Sequence, residues 1–345
     1  MVFKGTYTAI ITPFTETMKL NSDGVMSLID FQVENGAEGI VATGTTGESP
    51  TLSWDEHIEV IRNVFDRVGS KITVIAGTGS NSTEESLRGT EESQQIGVRA
   101  VLLVDPYYNG PSSLEIRREY VEPIAQRFPD IQIIPYIIPG RTGTQMHPQD
   151  LAILSHKYVN ITAVKEATGN YDNAKLIRKL SGNEFSILSG DDDRTFQLMT
   201  MPEIKANGVV SVASNVAPSA VRKMTDALNN GQIKEGENWA SKLKPLFELV
   251  TVKTTEETYY GPVECKARNP LPYKTLMQIL GMPSGPCRRP LGKITREGLE
   301  VILSKARYIY QNSPQILEPI ETYFDVDLSE RLYQDRYWQG LTYDY

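Results

Sequence analysis

Metal ligands, disulfide partners and membrane-length apolar runs are all scarce in this chain. Its 345 residues include two cysteines, Cys265 and Cys287, outside CxxC spacing and too few for a disulfide framework, a usage that suits a reducing compartment. Three histidines, His57, His147 and His156, are too dispersed to suggest a zinc or iron cluster, so no metal is expected beyond what carboxylates alone could hold. No apolar run reaches the roughly 18 to 20 residues that span a bilayer, and the opening MVFKGTYTAIITPF enters strand-like sequence without a signal-peptide pattern. A cytosolic protein is expected, or an organellar one after removal of a transit peptide. The 43 acidic and 35 basic residues give a formal charge of -8 and are spread along the chain. With no basic stripe, neither nucleic acid nor membrane is an expected partner.

What the chain does have is alternation. Apolar, β-branched runs recur eight times: YTAIITPF, GIVATG, ITVIAG, AVLLVDP, IQIIPYIIP, ITAVKEA, FSILSG and GVVSVAS. Amphipathic stretches such as SWDEHIEVIRNVFDRVG lie between them, opened by Ser, Asp or Pro and closed by Gly. Eight strand–helix pairs over residues 1–230 match an α/β chain folded as a closed parallel (β/α)8 barrel. A doubly wound open sheet is the rival, but GTGSNS lacks the third glycine of a dinucleotide fingerprint and nothing fits GxxxxGK[ST]. Residues 231–311 read as a C-terminal helical layer, and 312–345 as an aromatic, acidic extension. That extension either covers the chain's own helices or adds a subunit contact.

In such a barrel the chemistry sits at the carboxyl ends of the strands. Polar, reactive residues collect there: GTTGES (Gly44 to Ser49), DPYYNG (Asp105 to Gly110), YIIPGRTG (Tyr136 to Gly143), KEATG (Lys165 to Gly169) and SGDDD (Ser189 to Asp193). Each has a plain structural reading. GTTG is an ordinary turn, Tyr107 and Tyr108 are rim aromatics, Arg141 is a surface cation, and the Asp191 to Asp193 run is a helix N-terminal charge cluster. The aspartates keep that reading. The others fall on one rim of one barrel, and they gain a joint one. A lysine amine, normally protonated, becomes a nucleophile when desolvated or set beside another cation. Lys165 can then attack a keto acid, and the iminium formed is an electron sink for carbon–carbon chemistry without a metal or other cofactor. Arg141 would pair with a carboxylate, the Thr45–Thr46 turn would add donors, and Tyr136 would pass protons.

The motifs GTTGESPTLSWDEH, DPYYNGPS, YIIPGRTG, VKEATGN, LSGDD and NGVVSVASN, in this order and spacing, resemble the dihydrodipicolinate synthase and N-acetylneuraminate lyase family of Schiff-base barrels. The resemblance runs from about residue 3 to about residue 310. It implies that Lys165 forms the Schiff base with pyruvate, that Tyr136, Thr45 and Tyr108 form a proton relay, and that Tyr108 reaches into a neighbouring subunit's site. It implies further that Thr46 holds the pyruvate carboxylate, and that Gly190 and Val210 line the pocket through their backbone. Arg141 matches an arginine with which the synthases engage L-aspartate 4-semialdehyde and which the neuraminate lyases typically lack. The implied reaction makes 4-hydroxy-tetrahydrodipicolinate, on the way to diaminopimelate and lysine, in a homotetramer. Ser49, Trp54, His57, Asn81, Glu85 and Tyr107 fall on positions that bind inhibitory lysine, or are plain polar surface. Ile137 and Gly140 depart from the usual asparagine and serine. The rivals are another pyruvate-dependent aldolase, such as N-acetylneuraminate lyase or a keto-deoxy sugar acid aldolase, and a non-catalytic barrel that binds lysine or keto acids.

Overall fold

A computed structural model describes residues 2–343. The apolar runs become eight short strands: β1 Gly5–Ala9, β2 Gly39–Ala42, β3 Thr73–Gly77, β4 Ala100–Val104, β5 Gln132–Ile137, β6 Ala163–Glu166, β7 Ser186–Ser189 and β8 Gly208–Ser211. They pair in parallel, in chain order, and β8 returns to β1 with Val210 beside Tyr7, so the sheet closes as the alternation predicts. Parallel neighbours need a crossover between them, and helices supply it. Helix Trp54–Val68 starts in a capping box between Ser53 and Glu56, and helix Tyr171–Ser181 starts on Asn170, whose side chain accepts from the backbone of Asp172 and Asn173.

The two-residue period of a strand sorts side chains into two cores. Ala100, Leu102, Ile134, Leu188 and Val210 fill the barrel, whereas Val101, Leu103, Ile133, Ile187 and Val209 face the helices. On β6 the same rule puts Ala163 inside and Val164 outside, hence Lys165 inside and Glu166 outside. The adjacent lysine and glutamate therefore do not pair. Glu166 accepts instead from Thr168 N at 3.1 Å and from Asn173 Nδ2 at 3.2 Å.

Beyond the barrel the chain is not purely helical. Between helix Ile233–Phe247 and helix Leu271–Leu280 it makes an antiparallel hairpin, β9 Thr251–Thr258 and β10 Gly261–Arg268, turning at Tyr259 and Tyr260. The helical-layer reading missed it because it has almost no apolar face: of β9 only Val252 is buried. Its β-branched TVKTT run and the Gly261 turn, at φ 104°, were the available signal. The extension packs on its own chain. Tyr323 and Phe324 lie with ring centroids 5.4 and 5.2 Å from Phe31, and Trp338 Nε1 donates to Arg331 O at 3.0 Å. Among the described residues no helix is long and apolar enough to cross a membrane. Both cysteines are free thiols, Cys287 buried and Cys265 partly exposed on β10.

Candidate active site

Register brings the central pair together: Tyr136 on β5 is the Cα partner of Lys165 on β6. Lys165 is 5% exposed, and its Nζ lies 3.9 Å from the centre of the Tyr136 ring. Among the described residues it belongs to no ion pair. Loss of water pushes its amine down to about 8; Asp191 and Asp192 pull the other way, and Arg141 adds to the downward push. Tyr136 is 4% exposed, and burial holds its phenol above the usual value against the opposing charge of Arg141 and a hydrogen bond with the Thr45 side chain. Gly190 has no room for a side chain, since a Cβ there would stand 3.1 Å from Lys165 Cε and 2.7 Å from Ala167 Cβ. Val210 is buried in the barrel core.

A cavity of about 220 Å³ opens above Tyr136, lined among others by Thr45, Ser49, Gly79, Tyr107 and Arg141. The Thr45–Thr46 loop on its wall is a tight turn, with Gly47 N donating to Gly44 O at 3.0 Å and Glu48 N to Thr45 O at 3.2 Å. Glu48 adopts the left-handed region at φ 56° and holds the turn from below. Its carboxylate takes Lys274 Nζ at 2.7 Å and Arg288 N at 2.8 Å, with both side chains of the ion pair almost wholly buried. Lys274 completes its donors on Thr12 O and Pro286 O. Thr46 accepts from Asn269 Nδ2 at 3.0 Å and keeps its own hydroxyl proton free to donate. Reasoning from sequence missed Glu48, Asn269 and Lys274. Glu48 lay inside a motif that drew notice, but nothing local tied it to a lysine 226 positions away.

Arg141 sits on the one-turn helix Pro139–Thr142, open at the cavity mouth, with Nη2 donating to Asn269 O at 2.9 Å. Tyr108 is not brought to Tyr136 within one chain: it stands out from the rim, 90% exposed, with a left-handed backbone at φ 80°. The Asp191 to Asp193 run needs correction. Asp192 does open a short helical turn, Asp192–Arg194, but it is not a surface charge. It is buried, and it accepts from Ser211 Oγ at 2.5 Å, Val212 N at 2.8 Å and Ala213 N at 3.0 Å, tying the end of β7 to that of β8. Asp191, pushed up to about 6 by burial first and by Asp193 next, faces Lys165 closely enough to influence it. The two departures fall away from the cavity wall. Ile137 is buried in the helix-facing core, and a side chain on Gly140 would meet no heavy atom within 4 Å.

Of the six positions of the expected second site, two stand on this cavity. Ser49 and Tyr107 line it, and Tyr107 also walls a neighbouring cleft of about 300 Å³ with Asn81. Glu85 accepts from Ser80 Oγ at 2.5 Å, and Trp54 stacks at 4.8 Å on His57. His57 is buried and pushed down to about 4 by loss of water, so its ring is neutral, with Nε2 at 2.6 Å from Gly77 O. It supports the Trp54 ring and offers no charge to a ligand.

The model of the dihydrodipicolinate synthetase family matches residues 2–306. A relative named 4-hydroxy-tetrahydrodipicolinate synthase in Methanococcus maripaludis is 40% identical over 288 residues, 84% of this chain and 92% of that one. A relative of the same name in Trichlorobacter lovleyi is 39% identical over 312 residues, covering 89% of this chain and 100% of its own. Among solved structures, dihydrodipicolinate synthase from Cyanidioschyzon merolae with lysine bound superposes with a TM-score of 0.81 at 35% identity, covering 89% of this chain and 98% of that one. This chain belongs to the dihydrodipicolinate synthetase family.

Proposed function

We propose that this enzyme is a lyase that condenses pyruvate with L-aspartate 4-semialdehyde to 4-hydroxy-tetrahydrodipicolinate, through a Schiff base on Lys165 and with no metal or other cofactor. The observation that carries the reading is Lys165 itself, a buried amine pushed down to about 8, without an ion-pair partner among the described residues, against the face of Tyr136. Its neutral form attacks the keto carbon of pyruvate, and water leaves as the iminium forms. Loss of a methyl proton gives an enamine, whose carbon adds to the aldehyde while the aldehyde oxygen takes up a proton. The semialdehyde's amino group then attacks the iminium carbon and releases the Lys165 amine. Tyr136 is placed to move these protons, with Thr45 as its relay. Thr46 holds the pyruvate carboxylate, Gly190 and Val210 shape the pocket, and Arg141 takes the carboxylate of the semialdehyde.

The relay's third member, Tyr108, is exposed on its own chain and is supplied to the site of a second copy, as fits a homotetramer built from tight dimers. L-Lysine binds at Ser49, Trp54, His57, Asn81, Glu85 and Tyr107 and inhibits. Glu85 matches its ammonium, and Tyr107 stands between the two clefts. The test of the whole is borohydride trapping in the presence of pyruvate, with the adduct located by mass mapping. A reduced adduct on Lys165 is expected, and none would refute the mechanism. Turnover is then compared with L-aspartate 4-semialdehyde, N-acetylmannosamine and sugar-derived aldehydes. Preference for an uncharged aldehyde, or full activity in Arg141→Ala, would point to another aldolase.

A further inference from the structure

The hairpin that the sequence pattern did not announce ends at the mouth of the active site. Asn269 N donates to Val250 O at 2.8 Å, closing the hairpin's stem, and Arg268 is the last residue of β10, paired with Thr251. Two reciprocal hydrogen bonds clasp this stem to the helix Pro139–Thr142. Arg268 Nη1 donates to Gly140 O at 3.0 Å, and Arg141 Nη2 donates to Asn269 O at 2.9 Å. Each arginine thus holds the carbonyl next to the other in sequence.

Neither guanidinium has an anionic partner among the described residues, and in this the pair differs from Arg288 and Arg117. Arg288 is paired with Glu56 at 2.6 Å, and Arg117 with Asp150 at 2.6 Å. Arg178, which has no acid, spends its donors on the carbonyls of Ile204, Gly182, Phe185 and Lys205 and on Asn207. Arg141 and Arg268 make one carbonyl bond each and keep the rest of their forks unused. They are close enough for the charge of Arg268 to act on Arg141, with Asp191 acting the other way without pairing with it. Two like charges held side by side without a counter-ion repel each other, and an anion between them removes that cost.

We propose that Arg268 joins Arg141 in a two-guanidinium subsite at the cavity mouth, which binds the carboxylate of the aldehyde substrate and sets the preference for acidic over neutral aldehydes. The inference rests on the reading of Arg141 given above and adds a residue from outside the barrel. The hairpin foot thereby becomes part of substrate selection. Pyruvate, bound deeper against Lys165 and Thr46, is assigned to residues other than these two guanidiniums.

Steady-state kinetics of Arg268→Gln and Arg268→Lys test it, with borohydride trapping of pyruvate as a second readout. In Arg268→Gln the KM for L-aspartate 4-semialdehyde rises about tenfold, while the KM for pyruvate and the yield of trapped adduct stay within about twofold. Arg268→Lys restores part of the loss, because charge returns without the planar fork. The aldehyde KM also becomes less sensitive to added salt in Arg268→Gln. An unchanged aldehyde KM overturns the proposal. So does a parallel loss in pyruvate KM and adduct yield without rescue by lysine, which marks a purely structural clasp. If the unaltered enzyme forms no adduct on Lys165, the underlying reading has failed as well. If it forms the adduct and Arg141→Gln raises the aldehyde KM where Arg268→Gln does not, only the present inference has.

Discussion

Two lysines of this chain are buried to nearly the same degree, 5% exposed at Lys165 and 0% at Lys274, and the proposed mechanism gives them opposite uses. Lys274 lies at the seam between barrel and C-terminal layer, where Glu48 and two carbonyls take all three of its protons. Lys165 lies in the barrel mouth, with an aromatic face below it and aspartates close enough to influence it but too far to pair. Burial alone therefore does not make a nucleophile. The partner decides: a carboxylate in contact stabilises the ammonium and makes the residue a fastener, whereas desolvation without one releases the neutral amine. The two also cooperate, because Glu48 closes the turn that presents Thr45 to Tyr136.

The largest effect that separates them is loss of the amine. Lys165→Met should lower kcat on the order of 10⁴-fold and abolish the trapped adduct, yet leave the denaturation midpoint unchanged or raised, because an unpaired buried cation is replaced by an apolar chain of similar length. Lys274→Met should do the reverse in stability, costing about 3–5 kcal/mol in denaturant titration by stranding Glu48. Adding Glu48→Gln should recover part of that loss, and a double-mutant cycle with no coupling would contradict the pair's importance.

A smaller effect sharpens the contrast through pH. Since only the neutral amine attacks, the rate of adduct formation should climb about tenfold per pH unit below its midpoint and flatten above about 8. Asp191→Asn removes a charge that favours the ammonium, so the midpoint should move down; an upward move would show that Asp191 acts otherwise. The smallest effect belongs to the departure at Gly140. With open space where its side chain would go, Gly140→Ser should change stability by under about 0.5 kcal/mol and kcat/KM by less than about twofold.

Much of this was legible from residue order. The eight apolar runs are local in sequence and each matches its strand, because a strand buried on both faces needs a short continuous apolar run whatever its partners. Lys165, Tyr136, Thr45 and Arg141 were legible for a related reason: a parallel barrel puts every strand's end on one rim, so position along a run fixes position in space. The hairpin was not, since two mostly exposed strands leave no apolar stripe to read. Asp192 was misread, because an acid followed by a short helix looks alike whether it faces water or two backbone amides just past the next strand.

The sequence by itself determined the barrel, the rim and the lysine aimed into it, since periodicity and strand polarity depend only on neighbours along the chain. Tertiary structure alone decided that among the described residues Lys165 has no carboxylate in contact while Lys274 has one, and that Arg268 meets Arg141 across 126 intervening positions. Those outcomes depend on which charges come within a few ångströms after long loops close, and no local pattern encodes such distances.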